Sequence, residues 1–557
     1  MSKKNWFLIH GWLGLYFGLL LFVICLSGTI AVLSHEIDWL FHPELRVEPQ
    51  GEMKPVSVWV ESAWQAHPDG FIYAVYAPVA PYFAAEIHAY FPDQTIQRKR
   101  ILINPYTAQV QGTTAQFHVQ RFLRTYHMMF FLPEVGKYLV CSLGIVLLVS
   151  VISGLMIYKQ WWKKLFTIRL TRGRRILFSD IHRSLGVWCL LFSLLMALTS
   201  VWYLAEAAMH ELGIDWSEAY GYLAEEEIEA QNPYREFLSI EQLLQEARGT
   251  YPEMDIQGMY FPQKRNQAFT IFGQAQAWLV RDRANRIFLT PDQGELQSMV
   301  RAQDLDLISR TAEMADPLHF GDFAGLISKF IWFAFGLLLS ISILAGTLIW
   351  YLRHHNKTRS RLRVVSSITW SALIVVIFLA TAFCAYWGSQ MYLISNPFGD
   401  EVHEVGDVQV GPWQVNIQRI DSDASRHVHF VLNPDRPDAI ANYQSIEVSL
   451  TDDSGESAAA RVNPRLRFHI DAYLPKSEAD GADKALSIKM IGKDGAVHQT
   501  SLSYQQWSRQ DLLFQKTVTA NTWNDHVEPE VTVFIVLFHL LLFIGAALWI
   551  IAVQWRV

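Results

Sequence analysis

Apolar residues are concentrated in six uninterrupted runs, and polar residues dominate the stretches between them. Each run reaches the ~20 residues that an α-helix needs to cross the hydrocarbon core of a bilayer. The first run lacks a small-residue cleavage site, so we predict a retained helix rather than a signal peptide. The runs cover residues 6–33, 136–158, 181–204, 326–352, 367–393 and 531–553. The pattern predicts an α-helical multispan membrane protein with about six transmembrane helices, embedded in membrane lipid.

Between the first and second runs, and again between the third and fourth, the pattern changes to one amphipathic helix followed by alternating strands. A helix around Val56–His67 precedes FIYAVYAP and YFAAEIHAYF, and a helix around Ile240–Tyr251 precedes QGMYFP, AFTIFG and AWLVR. Alternation with a period of two is typical of strands that bury one face. We predict two small α+β domains outside the membrane, at about 40–118 and 235–305.

The segment between the fifth and sixth runs, residues 394–530, alternates repeatedly between apolar and polar positions. Its strand-like stretches, such as VGPWQVNIQRI and SIEVSLTD, are separated by turn residues. We predict a β-rich domain, either a sandwich or a barrel. His427 and His429 share one face of a strand and could bind a metal ion with His469 or His403, although exposed histidines on strands are also common.

A histidine-led pair of apolar runs occurs twice. HGWLG begins at His10 and HRSLG at His182, and the closing runs follow His127 and His319. Both closing runs carry glycines at the same two offsets from their histidine. These are Gly144 and Gly154 in the first copy and Gly336 and Gly346 in the second. Matched spacing of this kind predicts a duplication.

The duplication divides the chain into two repeats, residues 1–158 and 181–352. A basic link, residues 159–180, joins them, and a second basic link, residues 353–366, leads to the fifth helix at 367–393. The sixth helix and a short tail occupy positions 531–557.

Lysine and arginine are concentrated before the first helix and in the two basic links. Positively charged loops remain in the cytoplasm, so we predict that both termini and both links are cytoplasmic. The longer segments would then lie in the periplasm, and the protein in the inner membrane of a Gram-negative bacterium. The net charge of −7 and the loop positions of the cations give no sign of nucleic-acid binding.

Histidine at four membrane-helix ends is the pattern expected when imidazoles bind a cofactor in pairs. This topology places His10 and His182 at the cytoplasmic side and His127 and His319 at the outer side, about 30 Å away. One haem cannot bridge that distance, so we predict two haems whose irons each take two imidazoles. All four cysteines fall in apolar runs and no C-x-x-C motif is present, so these haems would be non-covalent and b-type.

The same histidines also have explanations without a cofactor. The inner two could be interfacial anchors, and the outer two could belong to an outside surface. His35 is a rival ligand for the outer haem, but the matching position of the second copy is Ala207. His539, inside the sixth run, could be functional or could bond to a neighbouring helix. Four aromatic residues near the outer histidines would line the haem edge or form an interfacial belt: Tyr126, Phe130, Phe131 and Phe320.

Five stretches of the chain resemble PepSY-associated transmembrane proteins, a family that includes inner-membrane ferric-siderophore reductases and iron-regulated membrane proteins. They are HGWLGLYFGLLLFVICLSGTIAVL, INPYTAQVQG, YHMMFFLPEVGKYLVCSLGIVLLVSVISGL, DIHRSLGVW and PLHFGDFAGLISKF. The resemblance covers about residues 1–355. It implies PepSY-like outside domains and an iron-linked reductase that carries two b haems and reduces a periplasmic ferric siderophore or other ferric complex.

The cytoplasmic side has no domain for the electron donor. No G-x-G-x-x-G follows a strand there, and no cytoplasmic stretch could hold flavin or NADPH. The donor would be a membrane quinol or a separate cytoplasmic reductase that docks on the basic link 159–175. We therefore predict a haem-dependent ferric reductase that moves electrons across the membrane for iron acquisition.

Two other classes of protein fit parts of the sequence. A non-enzymatic membrane protein would use its outside domains to bind or regulate a periplasmic protein, and it would be colourless. A metal transporter would need carboxylates or interrupted helices at mid-membrane, and the first four runs contain almost no acidic residue there.

Overall fold

A computed structural model describes most of the region 1–355 and part of the remainder. The described residues are 2–67, 71–91, 97–158, 166–169, 173–212, 238–262, 268–291, 293–355, 401–421, 427–434, 443–451, 457–465, 469–475, 484–507, 512–514, 533–535 and 537–538. The predicted helix at 367–393, His539, most of the predicted helix at 531–553 and much of both basic links lie outside these residues.

The helices of the two repeats follow the same order. In the first repeat they are α1 (Lys3–Tyr16), α2 (Gly18–Ala31), α3 (Ser34–Phe41), α4 (Val56–Ala66), α5 (Val119–Met129) and α6 (Pro133–Ile157). In the second they are α7 (Arg174–Trp188), α8 (Leu190–Glu211), α9 (Ile240–Thr250), α10 (Leu307–Phe320) and α11 (Gly325–His355).

Three of these helices are long and apolar enough to cross a membrane. They contain the candidate spans Val135–Ile157, Leu190–Met209 and Gly325–Ile349, and α1 with α2 would make a fourth span. The described part of the chain therefore belongs to a membrane protein with three or four spans, where the sequence predicts four in the same region.

Two of the predicted spans are interrupted rather than continuous. The first, at 6–33, bends by 66° between α1 and α2, and the third, at 181–204, is divided at Cys189. The breaks, at Phe17 and at Cys189, follow the histidine of their repeat at the same offset. The amide of each break residue still donates to the carbonyl one helical turn earlier, at 2.9 Å. Backbone hydrogen bonding therefore continues across both breaks, and the breaks are part of the duplication.

Each repeat also contributes four antiparallel strands. They are β1 (Phe71–Tyr76), β2 (Ala85–Phe91), β3 (Gln97–Ile103) and β4 (Val110–Ala115) in the first repeat, and β5 (Asp255–Tyr260), β6 (Phe269–Gln274), β7 (Asn285–Leu289) and β8 (Leu296–Val300) in the second. The predicted strand AWLVR is wrong, because Leu279 within it has a left-handed φ of 54° that ends extended pairing.

The eight strands form one continuous sheet in the order β4-β3-β2-β1-β5-β6-β7-β8. The two halves meet where β1 pairs with β5, with Val75 opposite Met259. Helices α4 and α9 bury their apolar residues in one shared core, which includes Trp59, Leu244 and Ile271. The two outside domains of the sequence prediction are thus one structural unit built around a single core.

The described part of the C-terminal segment is a second antiparallel sheet. Its strands are β9 (Glu401–Val410), β10 (Trp413–Asp421), β11 (His427–Pro434), β12 (Tyr443–Thr451), β13 (Ser457–Arg465), β14 (His469–Pro475), β15 (Ala485–Gly492), β16 (Val497–Leu502) and β17 (Leu512–Phe514), and α12 (Tyr504–Trp507) follows β16. Their order is β16-β15-β12-β13-β14-β11-β10-β9-β17. The His498 ring of β16 lies 6.1 Å from the Trp413 ring of β10, so the sheet curls over its core.

The strand register separates the histidines considered as a metal site in this domain. His429 pairs with Tyr473, and His469 lies at the other end of the same strand, β14. At the rise of an extended strand, His469 and Tyr473 are about 13 Å apart. The backbone therefore does not bring His469 to the strand positions of His427 and His429.

Candidate functional site: two imidazole pairs

The four predicted histidines form two pairs, and each pair takes one residue from each repeat. His10 on α1 faces His182 on α7 with ring centroids 5.9 Å apart. His127 on α5 faces His319 on α10 with centroids 6.1 Å apart. These are the two pairs expected from the sequence, while their binding of a cofactor stays a prediction.

In the inner pair, both rings use Nδ1 to bond to the neighbouring membrane helix. His10 Nδ1 donates to the Ser150 carbonyl at 3.1 Å, with Ser153 Oγ at 3.0 Å. His182 Nδ1 donates to the Ser342 carbonyl at 2.8 Å. A carbonyl can only accept, so the hydrogen-bond network assigns the proton of each ring to Nδ1 and the lone pair to Nε2.

In the outer pair, Nδ1 is again the nitrogen that donates a hydrogen bond to a neighbouring helix. His127 Nδ1 donates to the Ile24 carbonyl at 3.1 Å. His319 Nδ1 lies 2.7 Å from Thr199 Oγ1, and the Thr199 hydroxyl already donates to the Leu195 carbonyl at 2.9 Å. The hydroxyl oxygen therefore accepts from the imidazole. All four Nε2 atoms keep the lone pair that a metal ion binds.

The acceptors of these bonds belong to the duplication. Ser27 lies 3.3 Å from His127 Nδ1. Ser27 and Thr199 occupy matching positions of the two repeats, because Ser27 follows His10 by as many residues as Thr199 follows His182. The interval from Ser150 to Ser342 likewise equals the interval from His127 to His319. These serine and threonine residues were not predicted, although their shared offsets are a signal in the sequence that could have found them.

The glycines that the spacing singled out have two different roles. Gly154 and Gly346 lie against the inner imidazoles, since a Cβ built on them would be 3.7 Å from His10 and 3.0 Å from His182. Gly144 and Gly336 instead lie against the other repeat, where a Cβ would be 2.5 Å from the Ser200 or Thr29 side chain. Small residues let helices pack closely in a membrane, so these glycines fix the distance between the repeats.

Within each pair, the distance between the two ring centroids fits an iron held between the two imidazoles. A metal ion binds an imidazole nitrogen at about 2 Å, which places the centroids of two opposed rings about 6 Å apart. Among the described residues, no group of three or more histidine, cysteine or acidic side chains could hold a metal ion. A haem at either pair would be held by one imidazole from each repeat.

The two pairs lie at different depths of the helix bundle. The stretch from His10 to Ser27, which touches the outer pair, would be about 25 Å long as a straight helix. The 66° bend within it reduces this separation to about 20 Å. The pairs are closer than the topology alone predicts, but still too far apart for one cofactor to occupy both.

His35, the rival outer ligand, is engaged elsewhere. Its Nε2 accepts a hydrogen bond from the Gln120 side-chain amide at 3.2 Å, which uses the nitrogen that a metal would need. Burial, followed by the nearby Arg124 charge, lowers the pKa of His35 to about 3. His35 is thus a neutral buried acceptor.

Some of the aromatic residues near the outer pair belong to a hydrophobic core, and one of them lies beside the imidazoles. Tyr126 and Phe131 are buried in an aromatic cluster that includes Phe122 and Phe538. Phe320 lies beside the site, with its ring 5.8 Å from that of His319. Phe320 therefore contacts one of the outer histidines, and its place at a haem edge stays a prediction.

Buried contacts of charged and polar side chains hold the two outer histidine helices to the domain of the eight-stranded sheet. In the first repeat, Asp38 contacts Arg100 at 3.1 Å and His118 at 2.9 Å. In the second, Arg281 contacts Asp316 at 2.6 Å, and the Tyr203 hydroxyl donates to the same carboxylate at 2.8 Å. These contacts fix α5 and α10, and with them His127 and His319.

The charge of the Asp38 cluster follows from these contacts. Burial raises the pKa of Asp38, but His118 and Arg100 outweigh burial and hold it well below its usual range. Burial, together with Arg100, lowers the pKa of His118 to about 4. Near neutral pH, Asp38 is therefore ionised and His118 is neutral.

The chain was compared with known protein families. The profile of the family described as the PepSY-associated TM region matches residues 7–353, which is more than half of the chain and includes both imidazole pairs. No curated protein matches the chain. The resemblance to PepSY-associated transmembrane proteins, expected for about residues 1–355, is thereby confirmed.

Proposed function

This chain belongs to the family of the PepSY-associated TM region, and from that premise we propose that it is a di-haem b oxidoreductase of the bacterial inner membrane. It moves electrons to a periplasmic ferric complex for iron acquisition. The observation that carries the proposal is the pair of imidazole pairs, at 5.9 and 6.1 Å.

The side chains have defined roles in this proposal. His10 and His182 would hold one haem and His127 and His319 the other, each through Nε2. The helix carbonyls and the Thr199 hydroxyl keep the proton on Nδ1 and fix the orientation of the rings. When bound by these imidazoles, haem would supply one-electron transfer.

The family resemblance suggests the substrate class, a ferric siderophore or another ferric complex. Reduction to Fe²⁺ loosens the hold of hard oxygen ligands, which releases the iron for uptake. The outer pair favours this reading because α5 and α10, which carry it, are held to the eight-stranded sheet. A ferric complex would then approach from the sheet side.

The distribution of cations supports the proposed orientation. Both termini and the basic links would be cytoplasmic, with the two sheets in the periplasm. At the cytoplasmic side, Arg169 bonds to Asp180 at 2.8 Å, close in sequence to His182. The basic link thus reaches the helix of the inner pair, where a quinol or a cytoplasmic reductase would supply electrons.

One observation fits the alternative of a metal transporter: two of the helices are broken, and interrupted helices are a feature of transporters. The break at Phe17, however, lies in an apolar cluster with Leu21 and Leu147, and its amide remains bonded. A site for an ion would expose polar backbone at this point.

Proteoliposomes loaded with a quinol and its reducing system test the proposal. An impermeant ferric siderophore is added outside with a ferrous chelator, and the expected result is formation of the ferrous chelate. His182→Ala should abolish this reaction, and His498→Ala, in the second sheet, should leave it unchanged. No ferric reduction by haem-loaded wild type would contradict the proposed activity and favour a protein that binds a periplasmic partner.

A further inference from the structure

Arg124 lies beside the outer imidazole pair. It is on α5, one helical turn before His127, so both side chains project from the same face of the helix. Its guanidinium lies 4.8 Å from the centroid of the Phe320 ring, and this ring is next to His319. The cation is therefore one aromatic ring away from the histidine of the other repeat.

The described residues provide no ion-pair partner for Arg124. Its contact is the ring of Phe320, and the nearby Asp316 is occupied by Arg281 and Tyr203. Burial, and then the adjacent Arg121, lower the pKa of Arg124. The charges of Asp316 and Asp322 act on Arg124 from beyond ion-pair distance, so among the described residues no carboxylate contacts the guanidinium directly, and an anion at this position would be its direct partner.

The second repeat shows that the fold itself does not require this cation. Asp316 stands at the same offset before His319 as Arg124 does before His127, and Glu313 corresponds to Arg121. Glu313 pairs with Arg286 at 3.2 Å, so the charges of the second repeat are satisfied within the protein. The departure from the duplication is therefore specific to the first repeat.

We propose that Arg124 binds a propionate carboxylate of the haem held by His127 and His319. This inference rests on the proposed function. A guanidinium forms two parallel hydrogen bonds with a carboxylate, and Arg124 is on the helix that carries an axial ligand. An anionic ferric complex has the same oxygen chemistry, so the test must separate cofactor from substrate.

The test compares full-length wild type with Arg124→Gln and Arg124→Lys, all purified with haem supplied. Arg419→Gln is the matched control, because Arg419 lies over the Trp507 ring at 5.4 Å in the second sheet. Haem content, the rate of haem transfer to a scavenging apoprotein, and the reduction potentials are measured without substrate. The KM for the ferric siderophore is then measured in the proteoliposome assay.

Arg124→Gln should release one of the two haems about tenfold faster or more. The reduction potential of that haem should fall, because loss of a positive charge favours the oxidised form. Arg124→Lys should lie between wild type and Arg124→Gln, and Arg419→Gln should match wild type. If Arg124→Gln does not accumulate, faster release from Arg124→Lys supports the proposal and unchanged release overturns it.

Two haems with unchanged release and potentials in Arg124→Gln would overturn this inference and leave the proposed function standing. A raised KM for the ferric complex with unchanged haem properties would assign Arg124 to the substrate and equally overturn it. Wild type that binds no haem would overturn both.

Discussion

The position of one proton leaves Nε2 of each of these four histidines available to a metal ion. Each Nδ1 donates to a helix carbonyl or to Thr199, so each Nε2 is free of its proton and directed away from the bond. Such partners normally fix the tautomer of metal-binding histidines, and their loss typically weakens metal binding about 10–100-fold. The hydrogen bonds thus provide direct tests at the scale of single residues.

Thr199→Val should weaken retention of the outer haem by about 10–100-fold, because His319 loses its acceptor. Ser27→Ala should have a smaller effect, since His127 still donates to the Ile24 carbonyl. The measurement is haem release from the purified variants, with Thr199→Ser as the variant that restores the acceptor. Equal effects of Thr199→Val and Ser27→Ala would contradict the assigned hydrogen bonds.

Gly28→Ala should displace His127, because a Cβ there would lie 2.5 Å from Cε1 of the imidazole. We expect the haem content to fall from two per chain towards one, as the inner pair is unaffected. Gly11→Ala is the control, since its Cβ would meet nothing within 4 Å. Two tightly held haems in Gly28→Ala would show that the outer imidazole is not needed at its present position.

At the scale of single residues, the sequence predicts the four candidate histidine ligands better than it predicts the groups that accept their hydrogen bonds. Histidine is rare enough in membrane helices for matched spacing to be informative, and the pairs of His10 with His182 and of His127 with His319 follow from topology alone. Backbone acceptors such as the Ile24 carbonyl leave no mark in the sequence. Arg124 carried no signal until its position beside Phe320, without an acidic partner among the described residues, was known.

At the scale of elements, α5 and α10 have few turns of their own and depend on buried charges for their positions. Asp38 connects α3 to the sheet through Arg100 and to the start of α5 through His118. In the second repeat, Arg281 and Tyr203 hold α10 through Asp316. Removing one partner of such a buried set leaves an uncompensated charge, which commonly costs about 3–5 kcal/mol.

Stability of the outer half should decrease on acidification. His118 has a folded pKa of about 4, lowered from the ordinary 6.5, so the unfolded chain binds the extra proton first as pH falls between these values. In that window, each such histidine lowers the free energy of unfolding by up to about 1.4 kcal/mol for each pH unit of acidification. His88, whose pKa burial also lowers, acts in the same direction.

Thermal unfolding in detergent, measured from about pH 7 to about pH 4, checks this expectation. The melting temperature of wild type should fall with pH, and the fall should be shallower for His118→Gln. His498→Gln, in the second sheet, provides the control. A melting temperature independent of pH in wild type would contradict the buried neutral state of His118.

The apolar pattern identified the membrane helices of the two repeats but not their breaks. Phe17 and Cys189 are apolar residues within apolar runs, so hydropathy has no means of marking the breaks. The segment before each break packs against its own repeat, α1 on α6 and α7 on α11, and the segment after it packs against the other repeat, α2 on α11 and α8 on α6, so the breaks accompany a change of packing partner.

At the scale of the whole molecule, the duplication produces two associations between repeats. In the bundle, the repeats meet at both imidazole pairs, and outside it they meet where β1 pairs with β5. Alternation predicted the strands, but not this seam, because an edge strand has the same sequence pattern whether or not another domain pairs with it. A shared core is favourable for such small domains, since each alone buries little apolar surface.

Gly258→Ala should weaken the seam between the two halves of the sheet. A Cβ at Gly258 would lie 2.5 Å from the Val75 carbonyl and would also meet the Phe272 ring, and overpacking of this kind costs about 1–3 kcal/mol. Hydrogen exchange should accelerate in β1 and β5 but not in β3. Gly249→Ala on α9, where a Cβ meets nothing within 4 Å, should leave exchange unchanged, and slow exchange at the seam of Gly258→Ala would contradict the proposed packing.

The most direct test of the central claim is the absorption spectrum of the purified protein, oxidised and then reduced with dithionite, with quantification of the pyridine haemochrome. We predict two b haems per chain, falling to about one when His10, His127, His182 or His319 is replaced singly by alanine. A colourless protein from cells supplied with haem would contradict the claim.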